Sequence, residues 1–227
     1  DLDAYYADPE GYLARYKEKL AEMIVSNLST LSAHGLYVTF DPEFTSGNDE
    51  VWYAYMDGEI EEIFVDFQNN KRNFDKPYEQ NMAYFFEPQG KDCGVWIGLY
   101  YDEDIKEDIF SYSHAIYVDG TFIGVAGADV NAGDNVRAVK EMNLYEGGYS
   151  ALLDEDYEFI VYPNEESVDE EEQINAALKK EESLNGKQEA GKVTYKFEGT
   201  SKIMGYSRLQ NGWIFVITQP EDAAYKP

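Results

Sequence analysis

Three Asx-Gly dipeptides, Asp57-Gly58, Asp119-Gly120 and Asn211-Gly212, each stand between two runs rich in aromatic and β-branched residues. Such dipeptides accept the left-handed backbone of two-residue hairpin turns, whose twist matches the strands they join. Residues 51–56 and 59–65 flank the first, 109–118 and 121–127 the second, 202–209 and 213–218 the third. Hairpins demand antiparallel pairing, so the sequence reads as α+β with antiparallel sheets and not as a parallel βαβ fold.

Ahead of these hairpins the period is helical. Asp8-Pro9-Glu10 reads as a helix start, with an acid at the cap and proline in the first turn. Leu13, Tyr16, Leu20, Met23, Ile24, Leu28 and Leu31 follow at spacings of three and four, which predicts one apolar stripe on a helix over 9–33. Residues 35–40 then read as a strand. Residues 66–95 are irregular and aromatic, with Tyr78, Tyr84, Phe85 and Phe86. A stretch that long is expected to be a lid over a site and not a linker. Val136, Val139 and Met142 mark a short helix across 131–143. Residues 149–153 and 157–162 read as strands, Ser167-Val168-Asp169-Glu170 as a capping box opening a helix that closes at Asn185-Gly186, and 193–197 as a further strand.

The chain carries 18 basic and 45 acidic residues, a net charge of −27. That balance argues against nucleic acid or an anionic membrane as partner, since both need Lys and Arg to displace counterions. With 44% hydrophobic residues the chain is too apolar for a disordered acidic tail. No apolar run reaches the ~18 residues of a membrane span, and no signal peptide is evident. The chain opens on Asp1 and not Met, which suggests a piece of something longer. A lone cysteine, Cys93, excludes an internal disulfide, and it reads as an inert thiol. Only His34 and His114 are available to a histidine-based metal centre. No glycine-rich phosphate loop, nucleophile elbow or H-E-x-x-H occurs. Asp154-x-Asp156-x-Glu158, with Glu165 at the twelfth place, imitates a calcium loop, but Phe159 stands where the sharp turn needs glycine. Asp129-x-Asn131-x-Gly133-Asp134 lacks the distal bidentate acid. No metal and no cofactor is expected.

Five fragments in order carry a resemblance. They are Ala83-Tyr84-Phe85-Phe86-Glu87-Pro88; Gly94-Val95-Trp96-Ile97-Gly98-Leu99-Tyr100-Tyr101-Asp102; 110–117 with Ser111, Tyr112 and Ser113; 119–130, ending in Ala128-Asp129-Val130; and Gly148–Asp154 with Ile160-Val161-Tyr162-Pro163. Together they resemble the double Cache sensor, the extracytoplasmic ligand-binding region of bacterial transmembrane receptors, over nearly the whole chain. The sequence departs from the family's pattern at Leu99 and Ala115, where proline is usual. It departs again at Met82, near where the amino-acid-binding subgroup carries an arginine for the ligand carboxylate. Asn81 is the polar group beside it, and Arg72 lies ten residues upstream. The acids that meet a ligand amine in that subgroup match Asp102 and Asp129, with Tyr100 as the aromatic neighbour.

The resemblance implies a long N-terminal helix (1–33) and two PAS-like modules, a membrane-distal one (34–132) and a membrane-proximal one (144–227), joined by a helix (133–143). It implies a non-catalytic sensor that binds a small molecule in the distal module. The membrane is reached only through flanking segments, and the N-terminal helix is a homodimer contact in the full receptor. Tyr84, Phe86, Trp96, Tyr100, Asp102, Ser111, Ser113 and Asp129 are expected to line one cavity, with Ser111 and Ser113 sharing a strand face. Acids facing an aromatic cover would make a cage for a cation. Plainer readings stand beside this. Trp96 and Tyr112 suit a core, Asp129 suits a helix cap, and Asp102 suits an acidic surface. The rival reading of the whole is a freestanding solute-binding or protein-interaction module.

Overall fold

In the computed structural model the described residues are 1–65, 74–75, 82–142, 147–162 and 169–225. Tyr78, Arg72, Asn81, Glu165, and Ser167 and Val168 of the expected capping box lie outside them. The described chain forms two units, Asp1–Ala132 and Gly133–Pro227.

The first unit opens with two helices. Asp1 caps α1 (Leu2–Ala7) by accepting from the Ala4 N–H, and Asp8 caps α2 (Pro9–Leu28) by accepting from the Gly11 N–H, with Pro9 in the first turn. The helix stops short of the expected residue 33. Ser29 and Thr30 turn their hydroxyls back onto the carbonyls of Ser26 and Asn27, offering the backbone an alternative to further turns. Leu31 therefore lies past the end and is exposed.

Next come β1 (Gly35–Phe40), α3 (Pro42–Thr45), β2 (Glu50–Met56), β3 (Glu59–Glu62), α4 (Ala83–Phe86), β4 (Val95–Asp102), β5 (Glu107–Val118) and β6 (Thr121–Asn131). The six strands form one sheet in the order β3-β2-β1-β6-β5-β4, all antiparallel. Asp57 and Gly58, and Asp119 and Gly120, hold the positive φ their hairpins need. Both faces of the sheet are covered. Leu20, Ile24 and Leu28 of α2 pack on Val38, Phe40, Val51 and Ile123. On the other face Met82, Tyr84 and Phe85 pack on Tyr37, Trp52, Ile97, Ile109 and Val125. Alternation sorts these sets along β1 and β2, since neighbouring residues point to opposite faces, while on β6 a register irregularity at Ile123 puts Ile123 and Val125 on opposite faces although they are two apart.

The second unit begins with α5 (Gly133–Glu141) and continues through β7 (Tyr149–Leu153), β8 (Phe159–Val161), α6 (Glu171–Asn185), β9 (Ala190–Phe197), β10 (Thr200–Arg208), β11 (Ile214–Pro220) and α7 (Glu221–Ala224). Its five strands pair antiparallel in the order β8-β7-β11-β10-β9. Ile174 and Leu178 of α6 close the core over Ala151, Leu153, Val193, Met204, Tyr206, Ile214 and Val216. The calcium-like acids make a turn of their own: Asp154 Oδ1 accepts from the N–H groups of Asp156 and Glu158, both at 2.9 Å.

Candidate functional site: an acidic, aromatic cavity in the first unit

The inward face of the six-stranded sheet is apolar at one end and polar at the other. Register decides which residues meet. Ser111 on β5 lies opposite Asp129 on β6, Ser113 opposite Gly127, and Gly127 in turn opposite Tyr37 on β1. Trp52 on β2 also lies opposite Tyr37. All of these side chains share the inward face.

Strand β4 contributes through an irregularity. Ile97 pairs with Ser111, but Tyr100 pairs with Ile109, so Gly98 and Leu99 form a bulge. One extra residue reverses the alternation. Val95 and Ile97 face inward before the bulge, and Tyr100 and Asp102 face inward after it. Trp96 consequently faces the other side, where its ring sits 5.3 Å from that of Tyr112. In an unbroken strand Trp96, Tyr100 and Asp102 would share a face. The expectation that Trp96 lines the cavity is corrected on that ground.

The cavity is a narrow recess, partly open to solvent, with about 190 Å³ of empty space, and it is lined by Tyr37, Glu50, Trp52, Tyr84, Tyr100, Asp102 and Asp129. Every described lining residue is acidic or aromatic. Asp129 is 1% exposed. Its Oδ2 accepts from the Trp52 indole N–H at 3.1 Å and its Oδ1 from the Ser111 hydroxyl at 2.6 Å. Asp129 lies inside β6, four residues before α5, so it caps no helix. Asp102 is buried at the end of β4, and its Oδ1 also accepts from the N–H groups of Asp104 and Ile105, at 2.9 and 3.2 Å. This orients the carboxylate and removes it from the surface role.

Ser111 and Ser113 are wholly buried and stand behind the lining. The Ser111 hydroxyl bonds that of Tyr100 at 2.7 Å, and Ser113 bonds that of Tyr37. They position lining residues and do not themselves border the cavity. Tyr84 enters from α4, with its ring edge-on to Tyr37 at 5.3 Å. Phe86 packs against Phe85 at 5.1 Å in the core beside it. Met82, where the arginine of the family subgroup would fall, is fully buried. Burial above all, then the Asp129 charge, pushes the Tyr37 hydroxyl well above its ordinary pKa, so it stays a neutral phenol at any physiological pH.

Tyr37, Glu50 and Trp52 are lining residues that sequence reasoning missed. They lie on strands whose register was not readable. Trp52 alone carried a signal, because a buried indole N–H usually finds an acceptor.

Two further features of the described residues bear on function. A larger cleft of about 590 Å³ lies between the N-terminal helices and the sheet's other face, and its lining is mostly apolar and aromatic, including Leu13, Tyr16, Phe40 and Phe44. No three His, Cys, Asp or Glu side chains there converge to hold a metal ion, and no helix is long and apolar enough to cross a membrane.

A sequence model described as the Cache domain matches residues 7–227. No curated protein matches the sequence. Among solved structures, the extracellular domain of a protein described as a histidine kinase, mmHK1S-Z2, superposes with a TM-score of 0.62 at 18% identity, over 93% of this chain and 84% of that one. The ligand-binding domain of Mlp24 with asparagine gives 0.55 at 16%, over 97% and 80%. The ligand-binding domain of the Campylobacter jejuni chemoreceptor Tlp3, in complex with L-valine, gives 0.52 at 16%, over 99% and 89%. At these identities the likeness speaks for the fold.

Proposed function

This chain belongs to the Cache domain family, and we propose that it is the extracellular sensor region of a bacterial membrane receptor, taking a small ammonium-bearing ligand in the cavity of its first unit. One observation carries the ligand class: three carboxylates and four aromatic rings border one buried space. Carboxylates attract a cation by charge and ring faces by their quadrupole, and both effects strengthen away from water. Two acids near one cavity also repel each other, and a bound cation relieves that repulsion. The asparagine and L-valine held by two of the similar domains carry such an ammonium group.

Asp129 and Asp102 would take the ammonium, Tyr37, Trp52, Tyr84 and Tyr100 would wall it, and Ser111 and Ser113 would fix the walls. The fragment does binding and no chemistry. Ligand-favoured packing of the first unit would be read out by a cytoplasmic domain beyond flanking membrane helices, through a population shift.

Isothermal titration with an amine series, amino acids and acetate tests this. Wild type should bind at least one amine or amino acid, and a ligand at 100 times its Kd should add about 2.7 kcal/mol of stability. Asp129→Asn should weaken binding at least tenfold while the protein stays folded. Binding of acetate with failure of every amine would end the reading, as would an Asp129→Asn protein that keeps full affinity.

A further inference from the structure

The second unit holds a basic side chain where a lysine rarely goes. On β10, Lys202, Met204, Tyr206 and Arg208 alternate toward α6, and Met204 and Tyr206 are core. A lysine at such a place usually runs its stem along apolar surface and puts its charge in water. Lys202 does not: its side chain is 12% exposed, and Nζ lies 2.8 Å from Oε2 of Glu170, itself 3% exposed. The same ammonium sits 5.1 Å from the centroid of the Tyr149 ring and 5.7 Å from that of Phe197. Tyr195, directly opposite Lys202 on β9, donates its hydroxyl to the other oxygen of Glu170 and pairs with the Thr218 hydroxyl. Thr218 lies opposite Tyr149. Burial pushes the Tyr149 and Tyr195 hydroxyls far above their ordinary range, with Glu170 adding to it, so both remain neutral.

A buried carboxylate, two ring faces and a phenol that orients the carboxylate form the donor set that recognises an alkylammonium ion. We propose that the second unit contains an ammonium site of its own and that Lys202 is its resident ligand. The tether holds the ammonium at high effective concentration, so an outside amine gains entry only when the side chain is shortened. This is independent of the cavity in the first unit: either can fail without the other.

The test is chemical rescue. Lys202→Ala removes the equivalent of n-propylammonium from the site. Thermal unfolding of the whole chain is followed while n-propylammonium chloride is titrated against sodium chloride at equal ionic strength. Lys202→Ala should melt below wild type and recover saturably with the amine, gaining at least several degrees beyond whatever wild type gains at the same concentration. Amine binding in the first unit is common to both proteins and cancels in the comparison. A second change, Glu170→Gln, should abolish the recovery, and n-propanol should not replace the amine. If Lys202→Ala does not fold unaided, Lys202→Thr opens most of that space with a residue strands accept well, and ethylammonium is then the matched amine. An absent amine response in both variants, or a response equal with Glu170→Gln or with propanol, would overturn the proposal and leave an ordinary structural ion pair.

Discussion

Tyr37 lies against Gly127, and a Cβ built on that glycine would stand 2.2 Å from the tyrosine ring and its hydroxyl. The ring is buried and its hydroxyl is fixed by Ser113, so it has no room to yield. Gly127→Ala should cost about 1–3 kcal/mol, the usual penalty of overfilling a core, and weaken ligand binding by displacing a wall of the cavity. Urea unfolding and titration on the same protein would check both. Gly35 works likewise on a smaller scale: its Cβ would meet Asp129 Oδ2 at 2.9 Å and Trp52 Nε1 at 3.0 Å. The indole of Trp52 bonds the Asp129 carboxylate, so a cation reaching that carboxylate changes the field along the indole N–H. Ligand binding should shift the tryptophan emission, and the shift should vanish in Trp52→Phe while remaining in Trp96→Phe.

At the scale of elements, α6 is fastened to β10 at both ends. Lys202 meets Glu170 at the start of the helix, and Arg208 meets Glu182 near its end, at 2.9 Å. Twelve helical residues rise about 18 Å and six strand residues about 20 Å, so the two ion pairs fall in register with Ile174 and Leu178 packed between them. The hydrogen bond from Tyr157, then the Arg208 charge, holds the Glu182 carboxyl below its ordinary 4.5. A lowered carboxyl gives its stability above the unfolded-state pKa and loses it as pH falls through the folded one. The stability difference between wild type and Glu182→Gln should therefore be steady from pH 6 to 8 and shrink below about pH 4.5, a usual carboxylate range; pH-dependent denaturation measures it. Turns with strong chemistry were legible in the sequence: the three Asx-Gly hairpins lie where those dipeptides stand. The turn at Glu198-Gly199, joining β9 to β10, was not, because glutamate at a φ of 46° gives no warning. Strand β4 was hidden among Lys91–Gly94 and its own bulge, which breaks the period-two pattern that strand reading relies on. Asp102 and Asp129 were legible through the family's motifs. Tyr37, Glu50 and Trp52 were not, because register, and not local sequence, brings them to the site.

For the molecule as a whole, the net charge of −27 sets a background of self-repulsion. Raising salt from about 10 to 150 mM shortens the screening length from roughly 30 to 8 Å. The melting temperature should rise over that range, while association of a cationic ligand slows. Each unit has a core of its own, so residues 1–132 produced alone should melt cooperatively and keep the ligand response. Strand β4 is the last of its sheet among the described residues, and a last strand turns a row of backbone donors and acceptors outward. Gly98 and Leu99 interrupt that row halfway. A second chain laying a strand alongside would find matched spacing on only one side of the break. The same two residues that turn Tyr100 and Asp102 into the cavity thus spoil this edge as a template for stacking on copies of the chain.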